Sequence, residues 1–220
     1  MKITEQLLEL PLMQGMSRSD LNEVVAQTKI GFLKIAKGDD VIVEGAPCTH
    51  LYLLVSGSLW VESHSDDRSY SIVEEMAAPN ILQPECIFGM TQRYTKTFRA
   101  ITDCSFIRLE KSEVLRLSTE YMIFRINLLN IICTQSQRSL RIPWRVPAQG
   151  IRNKIARFVE LHSIRPAGRK EVVVKMEDLA KMIGESRLNL SRELNRMHEE
   201  GVIDISRGRF VVHALEKLRD

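Results

Sequence analysis

The chain has 220 residues, 44% of them hydrophobic, and its 31 Lys/Arg and 28 Asp/Glu leave a formal net charge of +3. That is enough chain for two modest domains with separate cores. No apolar run approaches the ~20 residues a membrane helix needs, so no membrane-spanning helix is expected. Met1-Lys2-Ile3-Thr4-Glu5 lacks the charged-then-apolar start of a secretory signal. Cys48, Cys86, Cys104 and Cys133 form no C-x-x-C pair. They read as reduced, mostly buried thiols of a cytoplasmic protein rather than a disulfide framework.

In chain order, Glu5 to Leu12 and Ser17 to Gln27 have helical patterns, the second opening on Ser17 with Asp20 in its first turn. From about Gly31 the signal changes to short strands broken by turns. Lys37-Gly38-Asp39-Asp40 leads into Val41-Ile42-Val43, Glu44-Gly45-Ala46-Pro47 precedes Leu51 to Val55, and Ser56-Gly57-Ser58 precedes Leu59-Trp60-Val61. Further strands fit Ser71 to Val73 and Phe98 to Leu109. This spacing predicts a small antiparallel barrel or roll. The pattern turns helical at about Ser112, and Tyr121 to Leu140 is rich enough in Ile and Leu to cover the roll on one side and pair with a second subunit on another. Pro143 and Pro147 then break the helix and suggest a hinge. A helix from Ile151 to His162 follows.

The most informative stretch is Val174 to Val212. Its spacing predicts a helix over Met176 to Ile183, with Leu179, Met182 and Ile183 on one face and small Ala180 where helices cross. Gly184 suits the positive φ of a sharp turn. Ser186 is a ready N-cap for the next helix. Leu190, Leu194 and Met197 repeat on one buried face of that helix. Leu188, Arg192 and Asn195 lie on the opposite face, with Arg187 in the exposed first turn. Val202 to Ile205, the basic turn Ser206-Arg207-Gly208-Arg209, and Phe210 to Val212 predict a two-stranded wing. Arg can grip guanine through two hydrogen bonds and Asn can read adenine, so such a helix fits the major groove.

Charge supports a polyanion partner. Residues 1–120 hold 12 basic and 17 acidic residues, a net of −5; residues 121–159 hold seven basic residues and no acid; residues 160–220 hold 12 and 11, a net of +1. Basic groups near phosphates supply affinity while the second helix supplies sequence choice. Arg138, Arg141, Arg145, Arg152, Lys154 and Arg157 equally suit a solvated helix pair. One alternative is a regulatory module whose helical hairpin docks a protein instead of DNA; salt dependence distinguishes the two, because only DNA binding carries a steep multi-phosphate slope. An enzyme has no support: there is no Gly-rich phosphate loop, nucleophile motif or metal-ligand cluster, and no catalytic residue is assigned.

Together these residues resemble the cyclic-AMP receptor protein/FNR (Crp/Fnr) family of bacterial transcription regulators. The resemblance spans nearly the whole chain. It rests on Pro11-Leu12-Met13-Gln14-Gly15, Lys37-Gly38-Asp39, Glu44-Gly45 and Leu54-Val55-Ser56-Gly57-Ser58, and more specifically on Asp178-Leu179-Ala180 through Gly184-Glu185-Ser186-Arg187 and Leu190-Ser191-Arg192-Glu193-Leu194. It implies an α+β homodimer in which an N-terminal cyclic-nucleotide-binding-type β-roll (residues 1–118), a long dimer helix and hinge (119–146) and a C-terminal winged helix-turn-helix (147–220) follow one another. Double-stranded DNA and RNA polymerase are the implied partners. By position Arg187, Leu188 and Arg192 match the family's base-contacting residues, while Ser186, Asn189 and Ser191 match phosphate or flanking contacts. Asn195 and the wing residues Arg207 and Arg209 complete the expected DNA face. The second base-reading position is often Glu in the family; here it is Leu188, which offers only apolar contact, for example to a thymine methyl.

The resemblance also implies a small-molecule effector, but the sensing motif departs from it. Cyclic-nucleotide binders carry Gly-Glu, then Arg followed by Ser or Thr, then Ala four residues on. Here Pro84-Glu85 lacks the glycine, and Tyr94 stands before Thr95 where Arg is expected, with Arg93 one residue early. In a strand that slip turns a side chain to the other face. The reading favours a degenerate nucleotide pocket, with Glu85, Arg93, Thr95 and Ser139 as its ligand candidates. The first cysteine is Cys48, so the N-terminal ligands of the family's iron–sulfur sensors are missing. His50, His64, His162, His198 and His213 show no metal spacing, and no metal site is expected.

Overall fold

The computed structural model describes residues 3–142 and 146–218. Residues 3–59 with 76–142 gather into one compact unit, and residues 60–75 with 146–218 into another. The expected hinge residue Pro143 lies outside the described residues.

The first unit opens with α1 (Ile3–Glu9) and α2 (Arg18–Gln27). α1 stops short of the expected Leu12 because Pro11 has no amide to donate to Leu7. Tight turns take over, with Leu10 N–H donating to Leu7 at 3.1 Å and Met13 N–H to Leu10 at 2.9 Å. α2 begins where its capping chemistry dictates. Ser17 Oγ accepts from the Asp20 amide at 3.0 Å and the Asp20 carboxylate accepts from the Ser17 amide at 3.4 Å, a reciprocal capping box.

Eight strands follow: β1 (Ile30–Ile35), β2 (Asp40–Ile42), β3 (His50–Ser56), β4 (Ser58–His64), β5 (Tyr70–Ala77), β6 (Asn80–Leu82), β7 (Thr97–Ala100) and β8 (Cys104–Glu110). β1, β8, β3 and β6 form an antiparallel sheet in that order, and β2 pairs with β7. Leu51 faces Leu109 and Leu54 faces Phe106 across β3 and β8. These residues, with Leu53, Leu59 and Phe98, are buried and form the heart of the roll. The β3–β4 turn depends on Gly57 at φ +97°, where an added Cβ would lie 2.6 Å from Cys104 Sγ and 2.7 Å from the Asp103 carbonyl.

The helical run after the roll is two helices, α3 (Lys111–Glu120) and α4 (Met122–Arg141), broken where Tyr121 turns extended at φ −117°, ψ 105°. No Pro or Gly marks that break in the sequence. On α4, Phe124 and Leu128 are buried, and Asn127 Nδ2 donates to the Leu12 and Gln14 carbonyls at 3.0 and 2.8 Å. Met122, Ile123, Ile126, Leu129 and Leu140 of the same helix are exposed.

Three of the four cysteines, Cys48, Cys86 and Cys104, are buried, and Cys133 on α4 is exposed. Burial, helped by the Glu85 charge, pushes the Cys86 thiol up to about 11, and burial raises Cys48 and Cys104 as well. The reactive thiolate is therefore scarce at pH 8 in all three. A chromogenic disulfide should titrate at most one thiol per native chain quickly, Cys133, and four after denaturation; rapid reaction of more than one would contradict the buried assignment.

The second unit holds α5 (Ile151–Leu161), β9 (Lys170–Val174), α6 (Met176–Ile183), α7 (Arg187–Glu199), β10 (Ile203–Ser206) and β11 (Arg209–Val212). The wing was expected as two strands; the sheet instead runs β10-β11-β9-β5-β4. β9 pairs with β11 on one side and on the other with β5, from Tyr70 opposite Val174 to Glu74 opposite Lys170. Glu74 and Lys170 are each only 3% exposed at the side chain and lie 2.6 Å apart. The same carboxylate accepts from the Ile164 and Arg165 amides at 2.6 and 3.3 Å. Ile72 of β5 joins Ile155, Val159, Val172, Leu179, Leu190, Leu194, Met197 and Phe210 in one core. Among the described residues no helix is long and apolar enough to cross a membrane.

Candidate nucleic-acid interface and sensor pocket

The interface is organised by one turn. α6 ends at Gly184, whose φ of +67° reverses the chain while its amide and that of Glu185 cap the helix on Lys181 and Ala180 carbonyls. Ser186 then caps α7, its Oγ accepting from the Asn189 amide at 3.1 Å. Buried Leu190, Leu194 and Met197 fix which side of α7 faces the core. Leu188, Arg192 and Asn195 follow at intervals of four and three on the opposite side, all three exposed, with Leu188 at 60%. Ser186, Arg187 and Asn189 are exposed in the first turn and Ser191 is half-buried.

The arginines of this face are not equivalent. Arg187 Nη1 lies 3.4 Å from Glu177 on α6, and Arg209 Nη1 lies 3.0 Å from Glu171 on β9. Arg196 is shared between Glu193 at 2.7 Å and Glu200 at 3.6 Å. Arg192 on α7 and Arg207 at the wing tip make no hydrogen bond or ion pair among the described residues. The two carboxylates, Glu177 and Glu171, were missed in the sequence because each meets its arginine only through the fold.

The acid-free basic run is divided by the structure. Arg152 is bonded to Glu200 at 2.6 Å and to the Leu218 carbonyl at 2.9 Å, and Lys154 to Glu185 at 2.6 Å. Arg157 donates to the Val146 carbonyl. These three brace the unit. Arg138 and Arg141 are exposed on α4, and Arg145 lies outside the described residues.

In the first unit, the ligand candidates are arranged around a residue that the sequence did not single out. Gln83, 6% exposed and held at φ +39°, precedes a single 3-10 turn over Pro84–Cys86. Its Nε2 donates to Thr95 Oγ1 at 2.6 Å and its Oε1 accepts from the Thr95 amide at 3.1 Å; a longer contact of 3.4 Å reaches Glu85. Glu85 and Thr95 thus come together through Gln83. Arg93 is exposed, and its Nη1 donates to the Gly45 carbonyl at 2.7 Å. Ser139 is exposed on α4 and bonds back to its own helix at Gln135. Tyr94 turns inward, 4% exposed, with its hydroxyl donating to the His50 carbonyl at 2.5 Å. Burial, reinforced by Cys48, holds that phenol far above its ordinary range, so it stays neutral. Among the described residues no group of three or more His, Cys, Asp or Glu is placed to hold a metal ion.

Two family models match the chain: the cyclic nucleotide-binding domain over residues 32–121 and the Crp-like helix-turn-helix domain over residues 153–220. No curated protein matches it. Among solved structures, the catabolite activator protein of Thermus thermophilus is 17% identical and covers 94% of this chain and 96% of its own, with a TM-score of 0.55. The sensor domain of the transcriptional regulator DNR from Pseudomonas aeruginosa is 19% identical over 67% of this chain and 95% of its own, with a TM-score of 0.52. At such identities the likeness is one of fold.

Proposed function

The chain belongs to the Crp/Fnr family of DNA-binding transcription regulators, which are not enzymes, and from that premise we propose that it reads a near-palindromic duplex as a homodimer through the outer face of α7. The observation that carries this reading is the exposed trio Leu188, Arg192 and Asn195 on a helix whose other side is fixed in the core, with the Arg192 guanidinium uncommitted. An uncommitted guanidinium can give both donors to one guanine without first breaking an internal ion pair. Arg187, held by Glu177, stands as a second base reader. Ser186, Asn189 and Ser191 flank them, and Arg207 and Arg209 supply phosphate contacts from the wing. Leu188 selects by apolar contact. The exposed apolar residues of α4 support pairing of two chains through that helix. We assign residues 1–118 to sensing, 119–146 to dimerisation and the hinge, and 147–220 to DNA, in a cytoplasmic protein acting on RNA polymerase.

The sensor residues fit a cyclic nucleotide poorly. A cyclic phosphate needs a cation and free amides, whereas the Thr95 amide donates to Gln83, Arg93 Nη1 donates to the Gly45 carbonyl, and Tyr94, where the family's Arg is expected, is a buried neutral phenol. These contacts support a degenerate nucleotide pocket.

Selection of bound duplexes from a random pool by the purified protein tests the reading, and a near-palindromic consensus is the expected outcome. Against that consensus Arg192→Ala should cost about 1–3 kcal/mol and relax base choice at one position of each half-site. Equal loss on random duplex would contradict base reading by Arg192.

A further inference from the structure

Of the large apolar residues of α7, Leu190, Leu194 and Met197 are buried, whereas Leu188 is 60% exposed. It gives nothing to the core. Arg192 stands one turn further along the same exposed face. Side chains at that spacing are neighbours, with Cβ atoms about 5–6 Å apart, and successive base pairs rise by about 3.4 Å. Contacts made by Leu188 and Arg192 in one major groove therefore fall within one or two base pairs of each other.

The surroundings of Leu188 decide what it can read. The carboxylates nearest to it in sequence are engaged, Glu185 by Lys154 at 2.6 Å and Glu193 by Arg196 at 2.7 Å. Glu177 is held by Arg187 at 3.4 Å. None of the three is free to accept from a cytosine amino group, and Leu188 has no polar side-chain atom with which to meet one. In the major groove an aliphatic side chain finds its partner in the methyl group on C5 of a pyrimidine. It makes no hydrogen bond that would tell the thymine oxygen at C4 from the cytosine amine. What it registers is the methyl, and two bases of a duplex can carry one: thymine and 5-methylcytosine.

We propose that Leu188 reads the pyrimidine C5-methyl group, so that 5-methylcytosine can stand for thymine near the guanine gripped by Arg192 and cytosine methylation strengthens a site. The inference rests on the DNA-binding reading above and adds to it the chemical mark that the helix senses. One buried methyl is worth about fourfold in affinity in each half-site, and about fifteenfold over a symmetric pair.

Anisotropy of the full chain on the duplex selected from the random pool, at one fixed salt concentration, tests the proposal. The position to vary is the one at which Leu188→Ala relaxes base choice. Four duplexes carry thymine, deoxyuridine, 5-methylcytosine or cytosine there in both half-sites. Thymine against deoxyuridine, and 5-methylcytosine against cytosine, each change the methyl alone and keep the opposite base. Both methylated members are expected to bind about fifteenfold more tightly than their partners. In Leu188→Ala both differences should collapse, and Leu188→Glu should instead favour cytosine, whose amino group it can meet. Thermal melting should show both variants folded, because the residue is exposed. Equal affinities within both pairs, no position relaxed by Leu188→Ala, or a methyl effect that persists in that variant overturns the inference. A loss at deoxyuridine without a gain at 5-methylcytosine confines Leu188 to thymine and overturns the response to methylation. Recovery of no consensus from the pool overturns the DNA-binding reading itself, an outcome distinct from a consensus that ignores the methyl.

Discussion

Replacing Glu74 by Leu is expected to destabilise the second unit by about 3–5 kcal/mol, the usual cost of removing one partner from a buried ion pair. The size is preserved well enough that a cavity is not the cause. What is lost is the countercharge of Lys170, itself 3% exposed, and the acceptor for the Ile164 and Arg165 amides. A buried ammonium then has to lose its proton or draw water into the sheet. Lys170→Met should cost less, because the carboxylate it leaves behind keeps both amide donors. The double variant should cost clearly less than the two single losses added together, since two apolar side chains can replace a buried pair at little penalty. Urea unfolding followed by circular dichroism measures all three. Additive losses would mean that the two side chains do not depend on one another.

Gly57→Ala is the corresponding experiment in the first unit. Two penalties fall together at this residue. A φ of +97° is unfavourable for any L side chain, and the new Cβ would sit 2.6 Å from Cys104 Sγ, 2.7 Å from the Asp103 carbonyl and 3.0 Å from Thr102 Oγ1. The carbonyl is backbone and cannot swing away, and the Gly57 carbonyl itself accepts from the Ala78 amide at 3.0 Å, which limits retreat on the other side. Strain and overpacking together should cost about 2–6 kcal/mol. Gly38→Ala supplies the comparison. Its φ is +93° but nothing lies within 4 Å of the added carbon, so it isolates the backbone strain, about 1–2 kcal/mol. Equal losses at the two glycines would show that crowding at Cys104 and Asp103 is relieved by local movement.

The helix-turn-helix was legible because its determinants are local. Met176 to Ile183, the Gly184 turn, the Ser186 cap and the 190/194/197 stripe each lie within a few residues of the group they act on, and periodicity and capping report them directly. The roll was legible as turns and alternation, although short β6 and the strand β1 were not separately identified. The β5–β9 ladder left no local trace. Its partners are 96 residues apart at Glu74 and Lys170, and each strand alone is only a short alternating run. The same distance hid the carboxylates beside Arg187 and Arg209. Gln83 was hidden differently: the family pattern bears on Pro84 and Glu85, whereas the group that occupies Thr95 sits one residue earlier. Arg93 and Tyr94 were the reverse case, since the one-residue slip noticed in the sequence corresponds to one side chain turned out and the next turned in.

Dissection of the molecule is constrained by the strand that β5 contributes to the winged sheet. A fragment beginning near residue 147 retains every helix of the second unit but forfeits the neighbour of β9. It would present Lys170 to Val174 as an open edge, with Val172 losing its cross-strand partner Ile72 and an ammonium lacking its carboxylate. Such an edge is a template for strand addition by another copy. The excised segment should therefore self-associate through β9, an edge that the intact chain keeps paired with β5, and a soluble version would have to carry residues 60–75 along, tethered or circularly rearranged.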